Sequence, residues 1–148
     1  MIFIARFLFA LMLFLPGASQ AAQPLIFKSS TADIRALSVL SFLQENHNFD
    51  PAAPYGIAVI DLNNDGLGEW IIRQDKTGCM RDASCPYFLV GLDQKKPRLL
   101  GSLSARKIGI TDEKSYGVSH LVVYNDPNDD FTYKSYTWDP FKGRFELP

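Results

Sequence analysis

Between Asp61 and Trp70 the chain reads DLNNDGLGEW. Asp61, Asn63 and Asp65 alternate, so in a segment that curls around a centre all three side-chain oxygens can point inward. Gly66 permits a sharp turn, the Leu67 carbonyl can then face the same centre, and Glu69 follows two residues later. Hard oxygen donors at this spacing suit Ca2+, which takes roughly 6–8 of them at about 2.3–2.6 Å. The same letters also build a metal-free turn. Asp and Asn side chains accept hydrogen bonds from backbone amides two residues on, and Gly66 adopts the left-handed conformation at no steric cost. Both readings stay open at the level of sequence. A bound ion would act structurally, by relieving repulsion among Asp61, Asp65 and Glu69.

The D-x-N-x-D-G segment is similar to the first half of an EF-hand loop. That loop needs a bidentate acid at its twelfth position, where Ile72 stands here, and the flanking runs YGIAVI and WIIR suit strands rather than helices. An EF-hand is therefore excluded. The full run from Asp61 to Glu69, followed by the apolar Trp70-Ile71-Ile72, resembles the strand-loop-strand calcium motif of FG-GAP and VCBS-type repeat proteins, D-x-D/N-x-D-G-x-x-D/E. Those proteins are multi-blade propellers that repeat the motif. It occurs once here, so the resemblance implies the loop and not the propeller. Over roughly residues 55–147 the order of features also resembles that of small, uncharacterised exported bacterial proteins. In those, such a hairpin precedes a cysteine-bracketed loop and a strand, and an aromatic hairpin follows. No activity is implied by that likeness.

The two cysteines, Cys79 and Cys85, lie in GCMRDASCP. In an oxidising compartment such a pair closes a small loop, worth about 2 kcal/mol by chain entropy. Two thiols with no nearby His or further Cys cannot complete a zinc site. A Cys79–Cys85 disulfide is expected, with Arg81 and Asp82 at the tip of a charged protrusion that a protein partner could grip. The only histidines are His47 and His120. Ser119 adjoins His120, but successive strand residues point to opposite faces, so that pair cannot work together. No nucleophile elbow, H-E-x-x-H, P-loop or dinucleotide fingerprint occurs. Asp126, Asp129 and Asp130 lack alternation and a positioned Gly, and fit a solvated turn. The chain is expected not to be an enzyme. The aromatic run YKSYTWDPF offers Tyr136 and Trp138 on one face and Tyr133 on the other. Such rings serve as hot spots for a protein partner or a sugar ring, or pack across strands. The residues expected to bind are Tyr136, Trp138 and Arg81.

The elements that must carry these residues follow an N-terminus with one basic residue, Arg6, and an apolar run from Phe7 to Leu15. Small residues at Ser19 and Ala21 then suit a signal peptidase, and the run is too short for a membrane span of about 20 residues. The expected arrangement is a signal peptide over residues 1–21 and a single domain over 22–148. Removing Arg6 takes the net charge from −1 to −2. With no basic block, this argues against nucleic acid and anionic membranes as partners.

SSTADIRALSVLSFLQEN predicts one helix, with Ser30 and Asp33 as a capping signal and Ile34, Leu37, Leu40, Leu43 and Phe42 on the buried side. Asp50-Pro51 and Ala53-Pro54 end it. From Ile57 onward, short apolar runs separated by turns predict strands near 57–62, 69–74, 87–93, 98–104, 107–111, 118–125, 131–138 and 144–147.

The expected fold is α+β, one N-terminal helix packed on a curved antiparallel β-sheet meander. The expected function is a non-catalytic binding protein, periplasmic or secreted, with no membrane span after signal cleavage. Its partner would be an envelope-active protein that it contacts or neutralises. The alternative is a carbohydrate- or envelope-polymer-binding module whose loop is ordered by Ca2+.

Overall fold

A computed structural model describes residues 22–29, 33–76, 79, 83–126, 128–129 and 132–148. The predicted signal peptide, the Ser30 half of the capping signal, Arg81 and Asp82, and Asp130 and Phe131 lie outside the described residues.

The chain forms β1 (Gln23–Pro24), α1 (Arg35–Asn46), β2 (Tyr55–Ile60), β3 (Glu69–Gln74), β4 (Cys85–Asp93), β5 (Lys96–Ala105), β6 (Lys107–Ser115), β7 (Val118–Tyr124), β8 (Lys134–Asp139) and β9 (Arg144–Glu146). The strands pair antiparallel throughout. The single helix and the β-rich remainder fit the α+β expectation, but the sheets are two rather than one meander. One has the order β2-β3-β4-β5 and the other β1-β6-β7-β8-β9. The break falls at Arg106, whose N–H bonds the Tyr124 carbonyl at 3.0 Å. There the chain leaves the first sheet and begins the second.

Two apolar clusters define the layers. Ile71 of β3 and Tyr87 and Leu89 of β4 face the five-stranded sheet, where they meet Ile108, Ile110, Leu121, Val123 and Phe145. Trp70 and Ile72, with Phe88 and Val90 opposite them in the ladder, face the other way onto the helix. The four-stranded sheet is thus the middle layer. Burial on both faces explains why WII and YFLV are unbroken apolar runs rather than alternating ones.

Helix α1 presents Ala36, Val39 and Leu43 to that sheet at spacings of three and four. This corrects the predicted buried face. Ile34 is 78% exposed and Leu37 65%, while Leu40 and Phe42 flank the contact half-buried. The sheet supplies the bulk itself, through Trp70, Phe88, Ile57 and Ile72, so the helix approaches through its smaller side chains. Asp33 caps from just outside the first turn, its carboxylate accepting the Arg35 N–H at 2.9 Å. At the other end Asn48 takes a positive φ of 53° and returns the chain, so that Phe49 buries in the same cluster.

Candidate functional site

The acidic segment joins β2 to β3, whose ladder ends at the Ile60–Glu69 pair. Its side chains are organised by the backbone they enclose. Asp61 Oδ2 accepts the Gly66 N–H at 2.9 Å and its Oδ1 the Asp65 N–H at 3.2 Å. Asn63 Oδ1 also accepts from Asp65 N–H, at 2.9 Å, and the Asn63 amide donates to Asp65 Oδ2 at 2.9 Å. Asp65 Oδ1 accepts the Leu67 N–H at 2.7 Å. Asn64 and Gly66 take positive φ values of 60° and 83°, which turns the loop back on itself. Asp61, Asn63 and Asp65 are therefore tied to one another and to the backbone they enclose, and the loop satisfies its own amides in the manner of linked Asx-turns. The Leu67 side chain is exposed.

Glu69 is placed differently. It is 9% exposed, and its Oε2 accepts the Leu62 N–H at 2.7 Å beneath the loop. Burial pushes its carboxyl above the ordinary glutamate value, and the charges of Asp65 and Asp61 push the same way. Asp61 is held below its ordinary value, chiefly by the Gly66 N–H. The residues that could hold a cation are Asp61, Asn63, Asp65, the Leu67 carbonyl and Glu69. Among the described residues, the only three His, Cys, Asp or Glu ligand atoms within 4.8 Å of one another belong to Asp75, Cys79 and Cys85. Cys79 and Cys85 form the expected disulfide, with Cα atoms 5.1 Å apart, so neither sulfur is a thiolate ligand.

The loop forms one wall of a cleft of about 160 Å3 at the end of the sandwich. Asn63, Asp65 and Glu69 contribute from the loop and β3, Asp93 and Arg98 from the β4–β5 hairpin, and Trp138 and Phe145 from the β8–β9 hairpin. Leu62 ties the loop to the second sheet, its carbonyl accepting the Ser119 N–H at 2.8 Å. Trp138 and Tyr136 are half-buried on the inter-sheet core, and Trp138 meets Phe145 edge-on at 5.4 Å. Trp138 reaches the cleft, whereas Tyr136 is not among the residues that line it. Arg98 crosses so close to Gly143 that a Cβ there would lie 3.0 Å from Nη1. Gly143 also has a φ of +63°, and it is this left-handed backbone that favours glycine there.

Sequence reasoning placed no partner for His120 and weighed only Ser119. The structure brings a different serine to it. Ser115 Oγ lies 2.7 Å from His120 Nε2, and Glu113 Oε2 lies 3.5 Å from His120 Nδ1. The overlooked clue was Tyr116-Gly117, a two-residue turn that extends β6 to Ser115 and folds β7 back over it.

Comparison with known proteins gives no match to a family model, to a curated protein or to a solved structure. Among the described residues no helix is long and apolar enough to cross a membrane.

Proposed function

We propose that the protein is a small exported binding protein of the bacterial periplasm that contacts, and by contact neutralises, an envelope-active protein. The cleft would hold one cationic side chain of that partner rather than transform it. The supporting observation is that Trp138, Asp65 and Asp93 line one cleft with a single guanidinium, Arg98, while Glu69, also in the lining, directs its carboxylate to the Leu62 N–H. An aromatic face beside carboxylates favours an ammonium or guanidinium group. At about 160 Å3 the cleft is smaller than the roughly 300–1,000 Å3 of small-molecule sites, which suits a single inserted side chain. Arg81, in the segment between Cys79 and Cys85, is the second contact in this reading. A carbohydrate- or envelope-polymer-binding module with a Ca2+-ordered loop is the other reading, favoured by Trp138 sharing its cleft with Asn63 and Asp93.

The test is a pull-down with tagged residues 22–148 from envelope extract, in calcium and in chelator, beside an Asp93→Lys variant. One near-stoichiometric protein retained by the wild type and lost by Asp93→Lys is the expected result. Retention of no protein in either buffer would overturn the protein-partner reading. Binding to envelope polysaccharide by the same wild type would then favour the sugar.

A further inference from the structure

The β6–β7 hairpin carries three side chains in the order that a nucleophilic serine requires. Ser115 Oγ is 2.7 Å from His120 Nε2, and His120 Nδ1 is 3.5 Å from Glu113 Oε2. Strand pairing produces this order. Tyr116 and Gly117 take φ values of 53° and 81°, the turn favoured between twisted strands, and set Ser115 opposite Val118. Alternation then brings His120, two residues past Val118, onto the face of Ser115, while Glu113 lies where the β6–β7 register shifts between Ile110 and Lys114. The imidazole side chain is 13% exposed and so held in place, while Glu113 is 79% exposed. Ser115 is half-buried and open to approach.

The two ring nitrogens are engaged from opposite sides. In the tautomer that carries its proton on Nδ1, 3.5 Å from Glu113 Oε2, Nε2 is the acceptor for the Ser115 hydroxyl proton. That is the relation of nucleophile, base and orienting group by which such sites are recognised, whatever their sequence order. The tip residue Tyr116 also lines a cavity of about 250 Å3, together with Thr137, Trp138, Asp139, Phe141 and Glu146, and neither Ser115 nor His120 is part of that lining. Phe141 is 93% and Tyr116 74% exposed, so its rim is aromatic and accessible. Among the described residues the turn amides of Tyr116 and Gly117 have no backbone acceptor.

We propose that Ser115 and His120, with Glu113 as the positioning residue, form a site for acyl transfer from a small ester that reaches the half-buried Ser115 from solvent. Ser115 Oγ bonds to the carbonyl carbon as its proton passes to His120 Nε2. The tetrahedral intermediate collapses, the bond to the alcohol oxygen breaks, and the alcohol leaves with the proton from His120. Water, deprotonated by the same nitrogen, then cleaves the acyl–Ser115 ester to give the acid and restore the serine. This goes beyond the binding reading and does not depend on the acidic cleft. It departs from the expectation of a non-catalytic chain.

The experiment incubates residues 22–148 with a fluorophosphonate probe and, separately, with p-nitrophenyl acetate and p-nitrophenyl butyrate. The expected results are a mass adduct on the peptide holding Ser115 and ester hydrolysis above the buffer rate. Ser115→Ala should lose both, with an unchanged circular dichroism spectrum and melting temperature. His120→Gln should lower kcat by about 10²- to 10⁴-fold. Glu113→Gln should lower kcat with KM unchanged, and Glu113→Asp should restore part of it, which a merely structural carboxylate would not do. The proposal is overturned if Ser115 stays unmodified under conditions that fully label a known serine hydrolase. It is equally overturned if Ser115→Ala keeps wild-type hydrolysis.

Discussion

Glu69 Oε2 accepts the backbone N–H of Leu62 at 2.7 Å, so a carboxylate that the loop motif aims at a cation is instead turned inward, under the loop. Its carboxyl lies above the ordinary value because burial disfavours its charge. The folded state therefore binds this proton more tightly than the unfolded chain, and the resulting stability is present in acid and lost as pH rises through the raised folded value. Glu69→Gln keeps an acceptor for Leu62 and removes the charge. Thermal melts from pH 4 to pH 8 should show the variant gaining on the wild type as pH rises. A difference that stays flat across the series would count against the inward, desolvated carboxylate.

Asp61 should behave with the opposite sign. Its carboxylate is held below the ordinary value by the Gly66 N–H, so its contribution is present above the unfolded value and lost as pH falls through the folded one. Asp61→Asn should lower the melting temperature at pH 7 and match the wild type in strong acid. The same melt series measures it.

Calcium at the loop is tested by melting residues 22–148 in millimolar Ca2+ and in chelator. Mass action predicts about 2.7 kcal/mol of stabilisation at one hundred times the dissociation constant, lost in Asp65→Asn. Equal melting in both buffers would assign the loop to its own Asx-turn network.

The helix contact gives a contrast between neighbouring leucines. Leu43 is fully buried against Trp70 and Phe88, and Leu43→Ala should cost about 2–5 kcal/mol in urea unfolding. Leu37 is exposed, and Leu37→Ser should stay within about 0.5 kcal/mol of the wild type. Similar losses at the two positions would mean that the helix lies on its other face.

Replacing Cys79 by Ser and Cys85 by Ala together should cost about 2 kcal/mol, the chain-entropy value for so short a loop, and leave the fold intact. Cys85 is buried among apolar groups, so Ala rather than Ser is the fair replacement there.

The parts of the fold that were legible in the sequence are those fixed by neighbours along the chain. The acidic loop, the cysteine pair and the strands around Trp70–Ile72 and Tyr87–Val90 are local patterns, and they lie where their spacing puts them. The parts that were not legible depend on distant partners. Nothing in LSARKIGI marks Arg106 as the exit from one sheet, because both sides carry ordinary strand residues. The helix face was misassigned because its partner sheet already carried the bulk, which favoured Ala36 and Val39 over Ile34 and Leu37. Trp138 at the cleft and Ser115 beside His120 were hidden for a related reason. The first depends on how two hairpins meet, and the second on Tyr116 accepting a positive φ that its side chain does not advertise.

The strand orders carry a consequence for how the molecule folds. Every ladder except β1–β6 joins strands adjacent in sequence. Short loop closures cost little entropy, so hairpins can zip independently and early. Two slower events remain, the docking of one set of hairpins on the other and the capture of Gln23–Pro24 by β6. The first strand of the domain must therefore wait for one of the later ones. Truncating Gln23–Pro24 should accelerate unfolding while leaving the rate of hairpin assembly unchanged.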